Sequence, residues 1–171
     1  MQALLVIDVQ TALVTGAYHE DEVISVINQA IEKHRSRNDL IIFIQHCHSS
    51  YEPMMKGNPG WQVSEKLKRE DQDHFIEKTA SDSFYNTALA KLLSDNGVEH
   101  VSITGLQTEF CVDTTCRSAL SHGFGVTLIS DGHTTGDAHQ PAAKTIEHHN
   151  LILANLAHPT LSIQVKPVNE L

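Results

Sequence analysis

The chain has 171 residues, 40% of them hydrophobic and 19% charged, which predicts one globular domain spanning residues 1–171. Its formal net charge of −9 and the absence of a basic run argue against a nucleic-acid partner. With three cysteines, no signal-peptide pattern and no apolar run of membrane-spanning length, we expect a cytoplasmic protein with reduced thiols and no membrane partner.

Short apolar runs alternate with helical patterns along the whole chain. Buried strands are predicted at residues 3–7, 40–44, 74–78, 100–103 and 126–129, with an edge strand at 161–165. Helices are predicted at residues 20–37, from a Ser83 cap to Gly97, from Cys111 to about Gly123, and at 140–154. This alternation predicts a three-layer α/β/α sandwich around a mainly parallel sheet of about six strands.

Cys111 stands near the junction between a predicted strand and a predicted helix. Gly105 marks the break between them, and Thr108 is a candidate N-cap for the helix. A thiol at the carboxyl end of a strand and near a helix N-terminus is placed for nucleophilic chemistry. The alternative is a small buried hydrophobic residue, which is the role of most free cysteines and the role we expect for Cys116.

Asp8 and Lys78 also end predicted buried strands. The carboxyl ends of parallel strands lie at one edge of a sheet, so Asp8, Lys78 and Cys111 are candidates for a shared pocket. There the carboxylate would accept the thiol proton, and the ammonium would lower the pKa of the thiol. We therefore expect Cys111 to be alkylated rapidly at neutral pH. Alternatively, Asp8 forms a turn, and Lys78 is solvated or pairs with Glu77 or Asp82.

Residues 45–74 form a long segment rich in Pro, Gly and Ser, and it is expected to act as a lid or pocket wall. It carries no motif that identifies a substrate. Candidates for lining a substrate pocket are Gln10, His46, His48, Trp61 and Phe110. Cys47 points away from its two neighbouring histidines and is expected to be packed.

Several motifs occur in an order that resembles the isochorismatase-like cysteine hydrolase superfamily. The resemblance rests on Leu4–Gln10, on Lys78 with Ser83-Phe84, Thr87 and Leu89, on Gly105–Val112 with Thr115, and on Asp131 with His148-His149-Asn150. The superfamily includes nicotinamidases, N-carbamoylsarcosine-type amidohydrolases, ureidoacrylate-type hydrolases and isochorismatases.

The resemblance implies a Rossmann-like fold, a homo-oligomer, and a catalytic triad at Asp8, Lys78 and Cys111. It also implies a cis peptide bond at Leu106-Gln107, with the backbone N–H groups of Gln107 and Cys111 forming an oxyanion hole. Isochorismatases that cleave a vinyl ether lack the cysteine, so Cys111 favours hydrolysis of a C–N bond.

Metal binding is less well supported by the sequence. Nicotinamidases carry an Asp-x-His metal pair after the second strand, whereas this chain has His46-Cys47-His48 there. His46 and His48 point to the same side of an extended segment and, with His74, form a candidate zinc site. The alternative is that the histidines line the pocket, so we expect no required cofactor. We expect structural or interface roles for His148-His149-Asn150.

The sequence thus predicts a cysteine hydrolase that cleaves a C–N bond of a small amide or carbamoyl-type substrate through a thioester. The alternatives are a nicotinamidase and a non-catalytic, thiol-redox protein that keeps the fold. A redox thiol has no need of a proton acceptor, so the presence of Asp8 and Lys78 argues against the second alternative.

Overall fold

A computed structural model describes residues 1–171, and its strands and helices alternate as the sequence predicts. The strands are β1 (Gln2–Ile7), β2 (Leu40–His46), β3 (His74–Lys78), β4 (His100–Leu106), β5 (Gly125–Thr134) and β6 (Ile163–Lys166). The α-helices are α1 (Thr11–Val14), α2 (Glu20–Ser36), α3 (Leu89–Asp95), α4 (Asp113–Ser121) and α5 (Ala142–Ala154). No helix combines the length and the apolar character that crossing a membrane requires.

All six strands are parallel and form one sheet in the order β3-β2-β1-β4-β5-β6. The predicted sandwich is therefore confirmed, with a sheet that is entirely parallel. This order is that of a doubly wound sheet, in which the chain turns to opposite sides from the central strand β1. Ligands bind such sheets beyond the carboxyl ends of the strands where the order reverses, here between β1 and β4.

The sheet is buried on both faces. Along β1, Ala3, Leu5 and Ile7 enter one apolar cluster, and Leu4 and Val6 enter the other. The first cluster includes residues of α3, α4 and α5, and the second includes the inner face of α2. The central strand is continuously apolar because it packs on two helical layers, and this burial holds its carboxyl end in a fixed position.

The segment between β3 and α3 differs from the sequence prediction. The α3 helix begins at Leu89, and Ser83 does not cap it. The hydroxyl of Ser83 instead forms a buried 2.8 Å hydrogen bond with Thr115 Oγ1 on α4. The backbone N–H of Leu89 donates to the hydroxyl of Thr87. A local capping signal was thus overridden by a tertiary contact that ties this segment to the helix after Cys111.

Candidate active site

Three polar side chains from three strand ends meet at one edge of the sheet. Asp8 directly follows β1, Lys78 ends β3, and Cys111 lies in a π-helical turn, Thr108–Val112, between β4 and α4. The Nζ atom of Lys78 is 2.8 Å from Asp8 Oδ2 and 3.2 Å from Cys111 Sγ. The three side chains that were expected to share one edge of the sheet are thus in contact, at the position where the strand order reverses.

The ammonium group of Lys78 is the centre of this arrangement. Its side chain is 0% exposed, and that of Asp8 is 1% exposed. Besides Asp8 and Cys111, Nζ lies 3.2 Å from His46 Nδ1 and 3.0 Å from the carbonyl oxygen of Ala80. An ammonium has three protons for these four neighbours, so at least one contact is shared or purely electrostatic. The alternatives of a solvated Lys78 or a pair with a neighbouring carboxylate are therefore wrong.

Burial controls the protonation of the site. It raises the pKa of Asp8 above its ordinary value, and the ammonium of Lys78 opposes that rise. Burial also raises the pKa of Cys111 to about 12, with a further contribution from the Asp8 carboxylate and opposition from Lys78. The expected lowering of the thiol pKa is therefore wrong, because the pocket removes the thiol from water and places a carboxylate beside it. The raised pKa favours the neutral thiol in the free protein.

His46 is also held neutral. Burial lowers its pKa, and the positive charge of Lys78 lowers it further. Because the ammonium can only donate, Nδ1 of His46 accepts the hydrogen bond and Nε2 carries the proton. His46 is therefore part of the electrostatic surroundings of Lys78, a role that no local sequence signal identifies.

A close approach between β1 and β4 brings Asp8 near the turn that carries Cys111. Gly105 has a φ of +121°, and a Cβ at this position would lie 2.0 Å from the carbonyl oxygen of Ile7. No other residue type fits there without moving one of the two strands. Asp8 itself has a φ of 51°, in the left-handed region that few non-glycine residues adopt and that is often found at functional sites.

The turn that carries Cys111 differs in detail from the predicted helix start. Thr108 does not cap α4, because its hydroxyl is bound to His133 Nδ1 at 2.9 Å. The carbonyl of Gln107 accepts from the backbone N–H groups of Phe110 and Val112. The Leu106-Gln107 peptide bond is cis, as the resemblance implies. The oxyanion hole formed by the N–H groups of Gln107 and Cys111 stays a prediction.

Two of the candidate pocket residues have structural contacts. Gln10 is fully buried: its Oε1 accepts from the backbone N–H of His46 at 2.8 Å, and its Nε2 donates to the carbonyls of His46 and Trp61 at 3.1 and 2.7 Å. Trp61 is 8% exposed. Gln10 therefore clamps the 45–74 segment onto the ends of β1 and β2.

The other candidates are more exposed. Phe110, beside Cys111, is 54% exposed. The Nδ1 atom of His48 accepts from the backbone N–H groups of Ser50 and Tyr51, so this nitrogen is engaged within the loop. Contact of either residue with a substrate stays a prediction.

The candidate zinc site made of three histidines is not assembled. His74 is the first residue of β3, and Lys78, the last, pairs with His46 across the sheet. Four residues of strand, about 13 Å, thus separate His74 from the pocket. The possible ligands that do converge are Asp8, His46 and Cys111, whose atoms lie within 4.8 Å of one another. The ammonium of Lys78 contacts all three, so the residues of this pocket do not fit a metal ion.

The remaining thiols lie outside the pocket. Cys116 is fully buried in the apolar cluster beneath α4, as expected. Cys47 is half-buried, with its sulfur 4.0 Å from Glu77 Oε2. All three cysteines are free.

Comparison with known sequences gives a consistent result. The family model described as the isochorismatase domain matches residues 2–158. A streptothricin hydrolase from Streptomyces noursei is 34% identical over 149 residues, which cover 85% of this chain and 53% of that protein. The isochorismatase family protein YrdC of Bacillus subtilis is 34% identical over 168 residues, covering 91% of this chain and 87% of that one. The chain spans little more than half the length of the streptothricin hydrolases it matches.

Solved structures agree with the fold. An isochorismatase family protein of 36% identity superposes with a TM-score of 0.84 over 95% of this chain and 96% of its own. The pyrazinamidase of Pyrococcus horikoshii, solved in complex with zinc, is 25% identical, with a TM-score of 0.81 over 97% and 98% of the two chains. The N-carbamoylsarcosine amidase of Thermoplasma acidophilum has the same TM-score at 23% identity, which shows a shared fold.

Proposed function

Because the chain belongs to the isochorismatase family, we propose that it is a cysteine hydrolase that cleaves the C–N bond of a small amide or carbamoyl-type substrate. The observation that carries the proposal is the convergence of the buried Asp8 and Lys78 with the half-buried Cys111, with one ammonium within 3.2 Å of both the carboxylate and the thiol. A nucleophile, a proton acceptor and a fixed positive charge are the groups that covalent amide hydrolysis requires.

In acylation, the Cys111 thiol gives its proton to the Asp8 carboxylate. Because the thiol pKa is raised to about 12, this transfer accompanies formation of the bond between Sγ and the substrate carbonyl carbon. The carbonyl oxygen becomes an oxyanion that accepts from the N–H groups of Gln107 and Cys111. When the C–N bond breaks, Asp8 returns the proton to the leaving nitrogen, and a thioester remains on Cys111.

Deacylation uses the same groups in reverse order. Asp8, again a carboxylate, removes a proton from water, and the hydroxide oxygen bonds to the thioester carbonyl carbon. The C–S bond then breaks, the carboxylic or carbamic acid leaves, and the proton on Asp8 returns to the sulfur. Lys78 keeps its proton throughout and stabilises whichever of its two neighbours carries the negative charge.

The relatives support the class of bond without naming the substrate. One relative is named as a hydrolase of streptothricin, and one structural neighbour is named as an amidase of pyrazinamide. The class of substrate proposed here is accordingly a small amide or carbamoyl compound that can reach the half-buried thiol of Cys111.

The nicotinamidase alternative has less support, because His46, His48 and His74 do not come together. We include no metal or other cofactor in the proposed reaction, since the Lys78 ammonium already provides the positive charge. The free cysteines agree with a cytoplasmic location. The proposed functional form is a homo-oligomer, as the resemblance implies.

The test combines product analysis with intact-mass spectrometry on a panel of small amides that includes nicotinamide, pyrazinamide and N-carbamoyl amino acids. We expect acid and amine to appear, and a quenched reaction to show an acyl adduct on Cys111. Cys111→Ala should fold and lose turnover, whereas Cys116→Ala should keep most of it. Equal turnover by Cys111→Ala and the parent would refute the covalent mechanism. Only sulfenic or disulfide products on Cys111 would favour the thiol-redox alternative.

A further inference from the structure

A second set of polar side chains lies beneath the turn that carries Cys111 and has no part in the proposed reaction. Thr108 and His133 are almost completely buried, and Asn150 is half-buried. Thr108 opens the π-helical turn, His133 lies on β5 opposite Gly105 of β4, and Asn150 lies on α5. The three therefore link two neighbouring elements to the start of the turn.

Their hydrogen bonds form one continuous chain. Thr108 Oγ1 lies 2.9 Å from His133 Nδ1, and His133 Nε2 lies 2.9 Å from Asn150 Oδ1. The Asn150 Nδ2 group donates to the carbonyl oxygen of Ser130 at 3.2 Å. The chain joins α5 to the turn through β5.

The direction of donation follows from the two ends of the chain. The carbonyl of Ser130 can only accept, so the amide nitrogen of Asn150 faces it and the amide oxygen faces His133. That oxygen also only accepts, so Nε2 of His133 carries the proton. Nδ1 of His133 is then an acceptor, and the hydroxyl of Thr108 must donate to it. Every donor in the chain points away from the turn.

The protonation state of His133 is also fixed. The pKa of His133 is lowered to about 4, and burial is the main cause. His149 on α5 lowers the pKa further, whereas the hydrogen bond with Asn150 and the charge of Asp131 on β5 oppose the fall. On the turn itself, the nearby carboxylate of Glu109 accepts from the hydroxyl of Thr135. His133 is thus neutral at neutral pH, and the chain keeps one direction.

We propose that the Asn150–His133–Thr108 chain positions the turn that carries Cys111, and that His133 is the positioning residue at its centre. The role rests on the proposed function, because it matters for catalysis only if Cys111 is the nucleophile. The chain fixes the hydroxyl of Thr108, three residues before Cys111 and next to Gln107. The sulfur and the two expected oxyanion donors are thereby held against Asp8 and Lys78. If these side chains only filled space, their shape would matter, but the direction in which their hydrogen bonds are donated would not.

The first test removes the donor while keeping the shape. Thr108→Val is nearly isosteric, and Thr108→Ser restores the hydroxyl. We expect Thr108→Val to reduce kcat about 10- to 100-fold with little change in KM, since small displacements of reacting groups have effects of that size. Thr108→Ser should recover most of the loss, and His148→Asn, an exposed change on α5, should have no effect. Equal kcat values for Thr108→Val and Thr108→Ser would overturn the proposal.

The second test reverses one bond of the chain, the one between His133 Nδ1 and the Thr108 hydroxyl, and leaves Nε2 of His133 donating to residue 150. In Asn150→Asp, a carboxylate beside Nε2 stabilises the protonated imidazole and raises the pKa of His133. Protonated Nδ1 then donates, and the Thr108 hydroxyl must turn away. We expect the rate of Cys111 alkylation by iodoacetamide, relative to the parent, to fall as the pH is lowered through the raised pKa. A ratio that stays constant while His133 becomes protonated would overturn the proposal.

Nitrogen-15 NMR of the histidine side chains reports the tautomer directly, with His133 assigned by the loss of its signals in His133→Gln. The parent should show a neutral Nε2–H tautomer at neutral pH, and an Nδ1–H tautomer would overturn the proposal. The alkylation and NMR measurements require no substrate. If the parent hydrolyses no amide, the proposed function fails, but the alkylation and NMR measurements still show whether the chain positions Cys111. Should Thr108→Val fail to fold, Asn150→Asp provides the decisive measurement.

Discussion

Replacing Lys78 by methionine removes the charge at the centre of the site while keeping much of the side-chain volume. In the parent, the ammonium is buried and lies 2.8 Å from the buried carboxylate of Asp8. The substitution leaves that buried carboxylate without a neighbouring cation. Removing one partner of a buried ion pair typically costs about 3–5 kcal/mol, a large part of the stability of a domain this size. We therefore expect Lys78→Met to fold with greatly reduced stability at slightly alkaline pH.

The loss should depend on pH, with a sign that follows from Asp8. Burial already raises its pKa in the parent, and Lys78 opposes the rise, so removing Lys78 raises the folded-state pKa further. Between the unfolded and the folded pKa, the native variant binds one proton more than the unfolded chain. Its stability therefore falls as the pH rises, by about 1.4 kcal/mol per pH unit within that window. The penalty should be smallest below the unfolded pKa of Asp8.

Urea denaturation at about pH 5 and about pH 8 measures this difference. Trp61 provides the fluorescence signal, because it is the only tryptophan and is buried in the native state. Lys91→Met is the matched control, since Lys91 forms an exposed pair with Asp95 and its loss should have little effect. Asp8→Asn combined with Lys78→Met removes both charges and should recover part of the lost stability.

Two results would refute this reasoning. One is a decrease in the unfolding free energy of Lys78→Met that is smaller than about 1 kcal/mol at pH 8 and is the same at pH 5, because exposed ion pairs behave in this way. The other is a double variant less stable than Lys78→Met, which would mean that Asp8 is not the charge left unpaired.

Alkylation of Cys111 provides an independent check. It should slow in Lys78→Met, because the Lys78 ammonium is the group that opposes the rise in the thiol pKa.

Three further predictions follow from other parts of the molecule. Gly105→Ala should lower the free energy of unfolding, measured in urea, by more than about 2 kcal/mol, because its Cβ would meet the Ile7 carbonyl. Gly123→Ala is the control: its Cβ meets nothing within 4 Å, and only its positive φ should cost about 1 kcal/mol. Dialysis against a chelator should leave amide hydrolysis unchanged, since the ammonium of the site lies among the possible metal ligands; stoichiometric zinc in elemental analysis, with activity lost on its removal, would contradict this. Light scattering coupled to gel filtration should give a multiple of the 18.9 kDa chain mass, and a monomer mass would refute the expected homo-oligomer.

The sequence by itself determined the layered fold and the identity of the three central side chains. Continuous apolar runs such as Ala3–Ile7 predict strands covered on both faces, and alternation with helices leaves few topologies other than a parallel sheet. In a parallel sheet the ends of the strands share one edge, so Asp8, Lys78 and Cys111 could be placed together before any distance was known. These features were predictable because they depend on local pattern and on a general rule of chain topology.

Only the tertiary structure decided the protonation of the site, the absence of the histidine metal site and the chain of hydrogen bonds beneath the turn. A pKa depends on how completely the neighbouring elements exclude water, which no local pattern records; thus Cys111 has a raised pKa despite its place near a helix start. Whether His46 and His74 meet depends on which end of a strand each occupies and on how the strands align. Thr108 and Asn150 are 42 positions apart in the printed sequence. Nothing near either predicts the hydrogen-bonded chain through His133, because it forms only when α5 packs against β5 and the turn.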